Sequence, residues 1–411
     1  MEDATFIRCS KLARSLGSAA IHGAPPPVAL LDPYNGGLSV ARSLVRSGTR
    51  VAVLAGTSDG FIARSRGVDG EVVPASEPAR RQAALERLAE RGFRGVLTGG
   101  DAASEWLALE RERLPASLAT FERDDDGHVP LMGKATADVI ARRAGVPVPW
   151  TRPAGTIGEL DRAVREAPYP AVLKPVLSHA WRAVFGDDRV LLVHGEALAR
   201  AQGERALAAD LPMVMSEYIP GGDDDVEEAI VVRAPDGSYP VAFGCHKIRQ
   251  FPVGFGAASL CEIADLPESM ALARAVLDEA GFVGVAGVET KRHAGSGVHY
   301  FLEVNVRIPT QFGLGDAAGL DASRRMARML LGHDVGPQPP VRRRARLLFP
   351  QQEVRAARAA LRAAPAGERL ATAHRLLRSY AGVRDLGILD PRDPGPGVAL
   401  VGQVLRRRLQ R

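Results

Sequence analysis

Glu303, Asn305 and Arg307 alternate with Leu302, Val304 and Val306 along residues 301–307. In a strand, successive side chains point to opposite faces, so the three polar groups project together while the apolar ones enter a core. A carboxylate and an amide oxygen are hard ligands of the kind magnesium takes. An arginine beside them pairs readily with phosphate or carboxylate. Residues 283–289 read as a second strand ending in another carboxylate, Glu289, and a Gly-Ser-Gly break at 295–297 folds the two strands together. Two acids, one amide and one arginine then face one site, which is the chemistry of a nucleoside triphosphate held through metal ions.

Taken alone, such a stripe fits equally the wet face of a half-buried sheet. The upstream lysines bear on the choice. Lys174 is set in Ala-Val-Leu-Lys-Pro-Val-Leu, and a lysine among apolar neighbours calls for an anionic partner. Lys134 lies near the start of an expected helix over 131–144. Residues 216–223, Ser-Glu-Tyr-Ile-Pro-Gly-Gly-Asp, read as a strand breaking into an acidic loop. In His-Lys-Ile-Arg-Gln at 246–250, Lys247 and Arg249 are expected on one face.

These residues need elements to position them. Strands at 28–31 and 51–54 flank Asn-Gly-Gly at 35–37 and an amphipathic helix over 38–47, a βαβ opening of a doubly wound sheet. A helix over 77–91, a strand at 95–97 and a helix over 102–113 complete that layer. The glycines do not form a full dinucleotide fingerprint, so a tight turn or a substrate-side loop is the better reading. The acidic run 124–127 reads as a solvated linker. Helices at 157–166 and 196–209, with strands at 171–174 and 190–193, form a small α+β lid, and a strand at 213–219 leads out of it. The expected domains are 1–127, an N-terminal α/β unit; 128–336, a central unit with its lid at about 150–211; and 337–411, a helical extension.

The chain has 411 residues, 46% hydrophobic and 25% charged, with net charge +5. Part of the excess sits in short arginine runs at 342–344 and 406–408 without interleaved aromatics, so nucleic acid is not an expected partner. No apolar run is long enough to span a bilayer. Cys9, Cys245 and Cys261 have neither metal-ligand nor disulfide-framework spacing, and the N-terminus has no signal-like apolar core, so a cytoplasmic setting is expected.

The order lysine, lysine, hinge, basic strand, acid and acid-x-Asn-x-Arg resembles the ATP-grasp superfamily of ATP-dependent carboxylate–amine ligases, and within it the carboligase group that includes D-aspartate ligase. The motifs are MSEYIPGGD, HKIRQFPVGFG, GVAGVETK and FLEVNVR, followed by a helix at 322–331. The resemblance implies an ATP-grasp fold, α/β and α+β, with a doubly wound N-terminal domain, a lid and a C-terminal sheet. It implies that Lys134 and Lys174 bind ATP phosphates. Adenine would meet the Ser216 carbonyl and the Ile219 amide in the hinge that also holds Glu217, and Asp223 or Asp224 would bind ribose. Lys247 and Arg249 would face the γ-phosphate and an acyl phosphate. Glu289, Glu303 and Asn305 would hold two magnesium ions, with manganese able to substitute, and Arg307 would stabilise the transferring phosphoryl group or anchor the carboxylate. The partners would be a small-molecule carboxylate and an amine, with a homodimer compatible.

Two departures stand out. Val306 replaces the proline of many relatives, and the lid loop 178–186 is glycine-poor, so Ser178, His179 or Arg182 are candidates to contact phosphate by side chain. Specificity is expected around 34–37, 252–257 and 309–316. A carboxylase-type enzyme using carboxyphosphate and a non-catalytic nucleotide-binding module remain alternatives; a biotin-carrier motif is absent.

Overall fold

The structure, a computed structural model, describes residues 25–123, 127–175, 181, 184–186 and 190–409. Val28–Leu31 (β1), Val51–Ala55 (β2), Val68–Val72 (β3) and Gly95–Thr98 (β4) form a parallel sheet in the order β3-β2-β1-β4. The wholly apolar β1 and β2 feed two cores by alternation. Val28, Leu30, Val51 and Val53 pack with Leu38, Ala41 and Leu44 of Tyr34–Arg46 (α1). Ala29, Leu31, Ala52 and Leu54 pack with Leu85 and Leu88 of Pro78–Glu90 (α2) and Leu107 of Asp101–Leu109 (α3). Covering both faces is what a parallel sheet requires. The expected doubly wound unit is present, with β3 added. Its sequence, Val-Asp-Gly-Glu-Val, is mostly exposed at the sheet edge and lacks a buried-strand pattern.

Gly36 and Gly37 form the first turn of α1, not a separate turn before it. A Cβ on Gly36 would fall 2.1 Å from the Pro309 carbonyl oxygen. Glycine there lets the N-terminal domain touch the loop that follows the stripe of polar residues.

The helix expected over 131–144 is two, Val129–Met132 (α4) and Lys134–Arg143 (α5), interrupted at extended Gly133. Thr151–Pro153 (β5), Ile157–Glu166 (α6), Ala171–Pro175 (β6), Leu191–Val193 (β7), Glu196–Leu207 (α7) and Met213–Glu217 (β8) make the lid. Its sheet order is β5-β8-β6-β7, so β8 lies inside the lid sheet instead of leading out of it. Trp181 and Phe185, expected in a loop, join the lid core with ring centroids 4.3 Å apart. Ser178, His179 and Arg182 lie outside the described residues, as does the acidic run 124–126.

Val226–Arg233 (β9), Val241–Phe251 (β10), Ala257–Ala264 (β11), Gly284–Arg292 (β12), His299–Asn305 (β13), Arg346–Leu348 (β14) and Val383–Asp385 (β15) form the central sheet, in the order β13-β12-β9-β10-β11-β14-β15. Ala229, Val231, Ala286, Val288 and Val304 face Val276 and Leu277 of Pro267–Glu279 (α8) and Ile140 of α5. Ile230, Val232, Phe243 and Cys245 face the opposite way, toward Phe312, toward Leu314 of Gly313–Ala318 (α9) and toward Met326 of Ala322–Leu330 (α10). Segment 337–411 is more than the expected helical extension. Besides Pro350–Ala363 (α11), Arg369–Ser379 (α12) and Gly395–Leu409 (α13), it adds β14 and β15 to the sheet. Among the described residues, no helix is long and apolar enough to cross a membrane.

Candidate active site

Register builds the site. Across β13, β12, β9 and β10 the antiparallel partners are Asn305 with Gly287, Glu303 with Glu289, Glu289 with Glu228, and Glu228 with Cys245. Lys247 lies two residues beyond Cys245. Directly opposed residues share a face, so Glu228, Lys247, Glu289, Glu303 and Asn305 stand on one side of the sheet. That is the side whose other end packs on α9 and α10. A register shift beside Glu289 pairs Thr290 with Phe301. Phe301, not Leu302, therefore joins Val304 in the core beneath, while Leu302 is only half-buried. β12 also runs past Glu289 to Arg292.

Lys247 is 3% exposed and donates from Nζ to Glu289 Oε2. Burial opposes its charge, but Glu289, Glu228 and Glu303 more than offset this and raise its pKa. Arg307 leaves β13 and clamps two elements: Nη2 donates to Asn305 Oδ1 at 3.0 Å and Nε to Asp101 Oδ1 at 2.6 Å. Asp101 is the first residue of α3, so this pair links the sheet to the N-terminal domain. From the lid, Lys174 on β6 lies within electrostatic reach of Lys134, Glu303, Asp138 and Glu289; burial, then Lys134, lowers its pKa. The sequence-expected Lys134, Lys174, Lys247, Glu289, Glu303, Asn305 and Arg307 are thus brought together.

Three further expectations meet different geometry. Arg249 does not share a face with Lys247. A bulge pairs Lys247 with Cys261 and Arg249 with Leu260, so the two basic residues fall on opposite sides. Arg249 instead binds Glu353 of α11, with Nε 2.8 Å from Oε1, and donates to Ser379 Oγ at 2.8 Å. Both carboxylate oxygens of Asp223 are engaged, Oδ1 by Gln250 Nε2 and Gly254 N at 2.8 Å each and Oδ2 by Gln250 N at 3.2 Å. Asp224 is exposed, and its carbonyl pairs with His246 Nε2. In the hinge, the buried Ser216 hydroxyl accepts from Thr151 Oγ1 at 3.1 Å, and the Glu217 carboxylate accepts from Trp150 N at 3.1 Å. Ile219 is also buried, and the strand's backbone is largely engaged: β8 is paired on both edges, Glu217 N donates to the Trp150 carbonyl at 2.8 Å and Tyr218 N to the Pro170 carbonyl at 3.2 Å.

Glu228 was not singled out by the sequence. It is 3% exposed, and its Oε2 has no hydrogen-bond partner. Burial, then Glu289, pushes its pKa up to about 7. Its signal was a charge inside the apolar strand Glu-Ala-Ile-Val-Val. Lys291, two residues past Glu289 on the same strand, is also buried, with Nζ 5.0 Å from the Tyr218 ring centroid at the hinge; burial lowers its pKa.

Among the described residues, no group of three or more His, Cys, Asp or Glu side chains is arranged to hold a metal. Two carboxylates, Glu289 and Glu303, and the Asn305 amide oxygen are present instead. That set suits magnesium, which takes one or two protein carboxylates and completes its shell with phosphates and water. The unpartnered Glu228 oxygen beside it marks a local excess of acid that added cation would relieve.

A second polar cluster closes the ends of β1 and β2. Arg81 Nη2 donates to Asp32 Oδ1 and Oδ2 at 2.7 and 2.6 Å. Asp59 is 2% exposed with Oδ1 unpartnered, and burial, then Asp32, raises its pKa to about 6. Asp32 and Tyr34 both have φ of 44°, a left-handed backbone that non-glycine residues adopt at a cost.

No family model and no curated protein matches the chain. Solved structures do match. N5-carboxyaminoimidazole ribonucleotide synthetase from Thermus thermophilus superposes with a TM-score of 0.58 at 19% identity, covering 76% of this chain and 81% of that one. L-amino acid ligase from Bacillus licheniformis gives 0.55 at 16%, covering 74% of each. The biotin carboxylase domain of 2-oxoglutarate carboxylase from Hydrogenobacter thermophilus, in complex with MgADP, ADP and bicarbonate, gives 0.56 at 18%, covering 76% and 72%. At these identities the likeness is one of fold, and the fold is ATP-grasp.

Proposed function

We propose that this ATP-grasp chain is an ATP-dependent ligase that activates a carboxylate as an acyl phosphate and joins it to an amine, releasing ADP and phosphate. The observation that carries the reading is the convergence, on one face of the central sheet, of Lys247, Glu289, Glu303 and Asn305 with Arg307 at its edge and Lys174 above.

The chemical difficulty is that a carboxylate does not expel oxide. Phosphoryl transfer from ATP converts that oxygen into a phosphate, which leaves readily. During transfer negative charge leaves the attacking carboxylate oxygen and builds up on the β–γ bridging oxygen as ADP departs, and fixed cations around it lower the barrier. Lys134 and Lys174 hold the phosphates from the lid side. Lys247, released from Glu289, faces the γ-phosphate from the sheet. Glu289, Glu303 and Asn305 would hold magnesium, which would neutralise phosphate charge. Arg307, already steered by Asn305 and Asp101, anchors the carboxylate or the transferring group at the boundary with the N-terminal domain. The lid covers the nucleotide and excludes water, because a free acyl phosphate hydrolyses. A neutral amine then attacks the carbonyl carbon and phosphate departs.

Adenine meets the Ser216 carbonyl and the Ile219 amide, with Tyr218 and Lys291 beside it. Asp224 serves the ribose better than Asp223, whose oxygens are occupied. Arg249 acts through the packing of α11 and not on the phosphates. Specificity lies at 34–37 and 309–316, which the contact of Gly36 with Pro309 joins into one wall, and at 252–257. The amine partner is an amino acid or small peptide.

A second reading has bicarbonate as the carboxylate, and it is favoured by the likeness to a synthetase and a carboxylase domain whose names or bound ligands point to that chemistry. One assay separates the two. ADP release is measured with pooled amino acids in bicarbonate-free buffer and again with bicarbonate alone. Amine-dependent release without bicarbonate supports the ligase, strict bicarbonate dependence supports the second reading, and nucleotide binding without turnover in either defeats both.

A further inference from the structure

Behind the N-terminal helix, away from the residues proposed to handle ATP, a cleft of about 1240 Å³ opens between α1, α9–α10 and segment 383–392. None of its lining residues belongs to the phosphate and metal face. Its volume exceeds what a drug-sized molecule needs.

The wall is dominated by arginine. Arg46 ends α1, Arg342 lies over Gly319, and Arg392 follows Pro391. The guanidinium groups of these three have no hydrogen-bond or ion-pair partner among the described residues. By contrast, Arg42 deeper in the cleft is fully committed: Nε donates to Asp393 Oδ2 at 2.8 Å and Nη1 to the Gly387 carbonyl at 2.6 Å. Arg324 is held by Asp321 at 2.7 Å, and Arg343 by the Ala317 carbonyl at 2.7 Å. The cleft therefore has a built framework of paired arginines and a rim of unpaired ones.

Four acids line the cleft as well: Asp321 pairs with Arg324, Asp390 accepts from Arg392 N at 2.9 Å, and Asp385 and Asp316 are held from within the fold. Asp385 accepts from Gly387 N at 2.7 Å and Ser39 Oγ at 3.4 Å, and Asp316 accepts from Ser323 N at 3.1 Å. Burial raises the pKa of both. Leu386 and Leu389 stand exposed in the same wall, 36% and 48% accessible.

We propose that this cleft is a second ligand site for a small organic anion carrying two or more phosphate or carboxylate groups, its charges met by Arg46, Arg342 and Arg392 and its apolar part by Leu386 and Leu389. Planar guanidinium groups suit both oxyanions, through paired N–H donors.

The test is calorimetric titration of the intact Lys174→Met protein, in which the ATP-site phosphate cradle is weakened, with pyrophosphate and separately with citrate. The expected result is saturable binding of at least one probe, weakened as sodium chloride rises. Adding Arg46→Ala, Arg342→Ala and Arg392→Ala should lower that affinity more than tenfold at unchanged melting temperature. Binding of pyrophosphate alone identifies a phosphate ligand, and of citrate alone a polycarboxylate. Failure of both probes to bind, or a titration unmoved by the arginine changes, overturns the proposal. So does sedimentation showing a dimer that the arginine changes dissociate, because the cleft is then a subunit contact.

Discussion

The sheet face around Lys247 and the closed cluster around Arg81 begin from the same components. Each has a buried cation–carboxylate pair, Lys247–Glu289 and Arg81–Asp32, and each has a further buried acid with one unpartnered oxygen, Glu228 and Asp59. Each extra acid has a raised pKa, about 7 and about 6. They differ in what surrounds them. Glu289, Glu303 and Asn305 remain partly open, and Lys174 and Arg307 reach toward them from two other elements. Asp32, Asp59 and Arg81 are nearly inaccessible. The proposed reaction site is therefore not read from buried acid alone; the reading rests on cations converging from separate elements onto an accessible acid face.

Changes on the open face should break chemistry and leave folding intact. Glu303→Gln keeps shape and removes the charge that opposes magnesium. ADP formation should fall by at least about a thousandfold, equivalent to about 4 kcal/mol, with an unchanged circular dichroism spectrum. Retained activity at saturating magnesium would remove Glu303 from the site.

Arg249 tests the boundary of that face. Arg249→Met leaves Glu353, only 3% exposed, without its ion-pair partner. Breaking such a pair costs about 3–4 kcal/mol, so denaturant stability should drop by that order while KM for ATP stays within about twofold. Normal stability with lost turnover would return Arg249 to the phosphates.

The closed cluster should respond to pH instead. Asp59 keeps its proton in the folded protein up to about pH 6, whereas the unfolded chain releases it near the ordinary carboxyl value of 3.8. Between those values the unfolded state binds fewer protons, so folding stability falls as pH rises and the loss is complete above about pH 6. Asp59→Asn removes that loss. Its stability relative to the unaltered protein should grow from near zero at about pH 4 to roughly 3 kcal/mol at pH 7. A difference independent of pH would show that Asp59 is not held protonated.

Lys174→Met sharpens the lid's part. Loss of one charge-assisted phosphate contact should weaken ATP binding or kcat/KM by about 2–3 kcal/mol. Calorimetric affinity within twofold together with normal turnover would place this lysine outside the phosphate cradle.

Much of the architecture was legible because it follows from periodicity. The alternation of apolar and polar residues at 301–307 and the buried runs of β1, β2 and β6 read directly as strands on known faces. What was not legible depended on breaks in period. The bulge between Lys247 and Arg249 reverses a face, and the register shift at Glu289 exchanges Phe301 for Leu302; neither shows in spacing. Glu228 was hidden because its importance arises from neighbours on and beside other strands, Lys247, Glu289, Glu303 and Arg307, distant in sequence. Asp223 looked like a ligand until its partners Gln250 and Gly254 came into view. The strands β14 and β15 are three residues each, too short to announce themselves amid arginine and alanine.

The central claim is that the accessible acid face and its converging cations make an acyl phosphate. The most direct measurement is isotope transfer: the carboxylate substrate is labelled with oxygen-18, and the phosphate released with ADP in the presence of the amine is analysed by mass spectrometry. One labelled oxygen per phosphate is the predicted result, because the carboxylate oxygen leaves as part of the phosphate. Unlabelled phosphate, or AMP and pyrophosphate as products, would contradict the account.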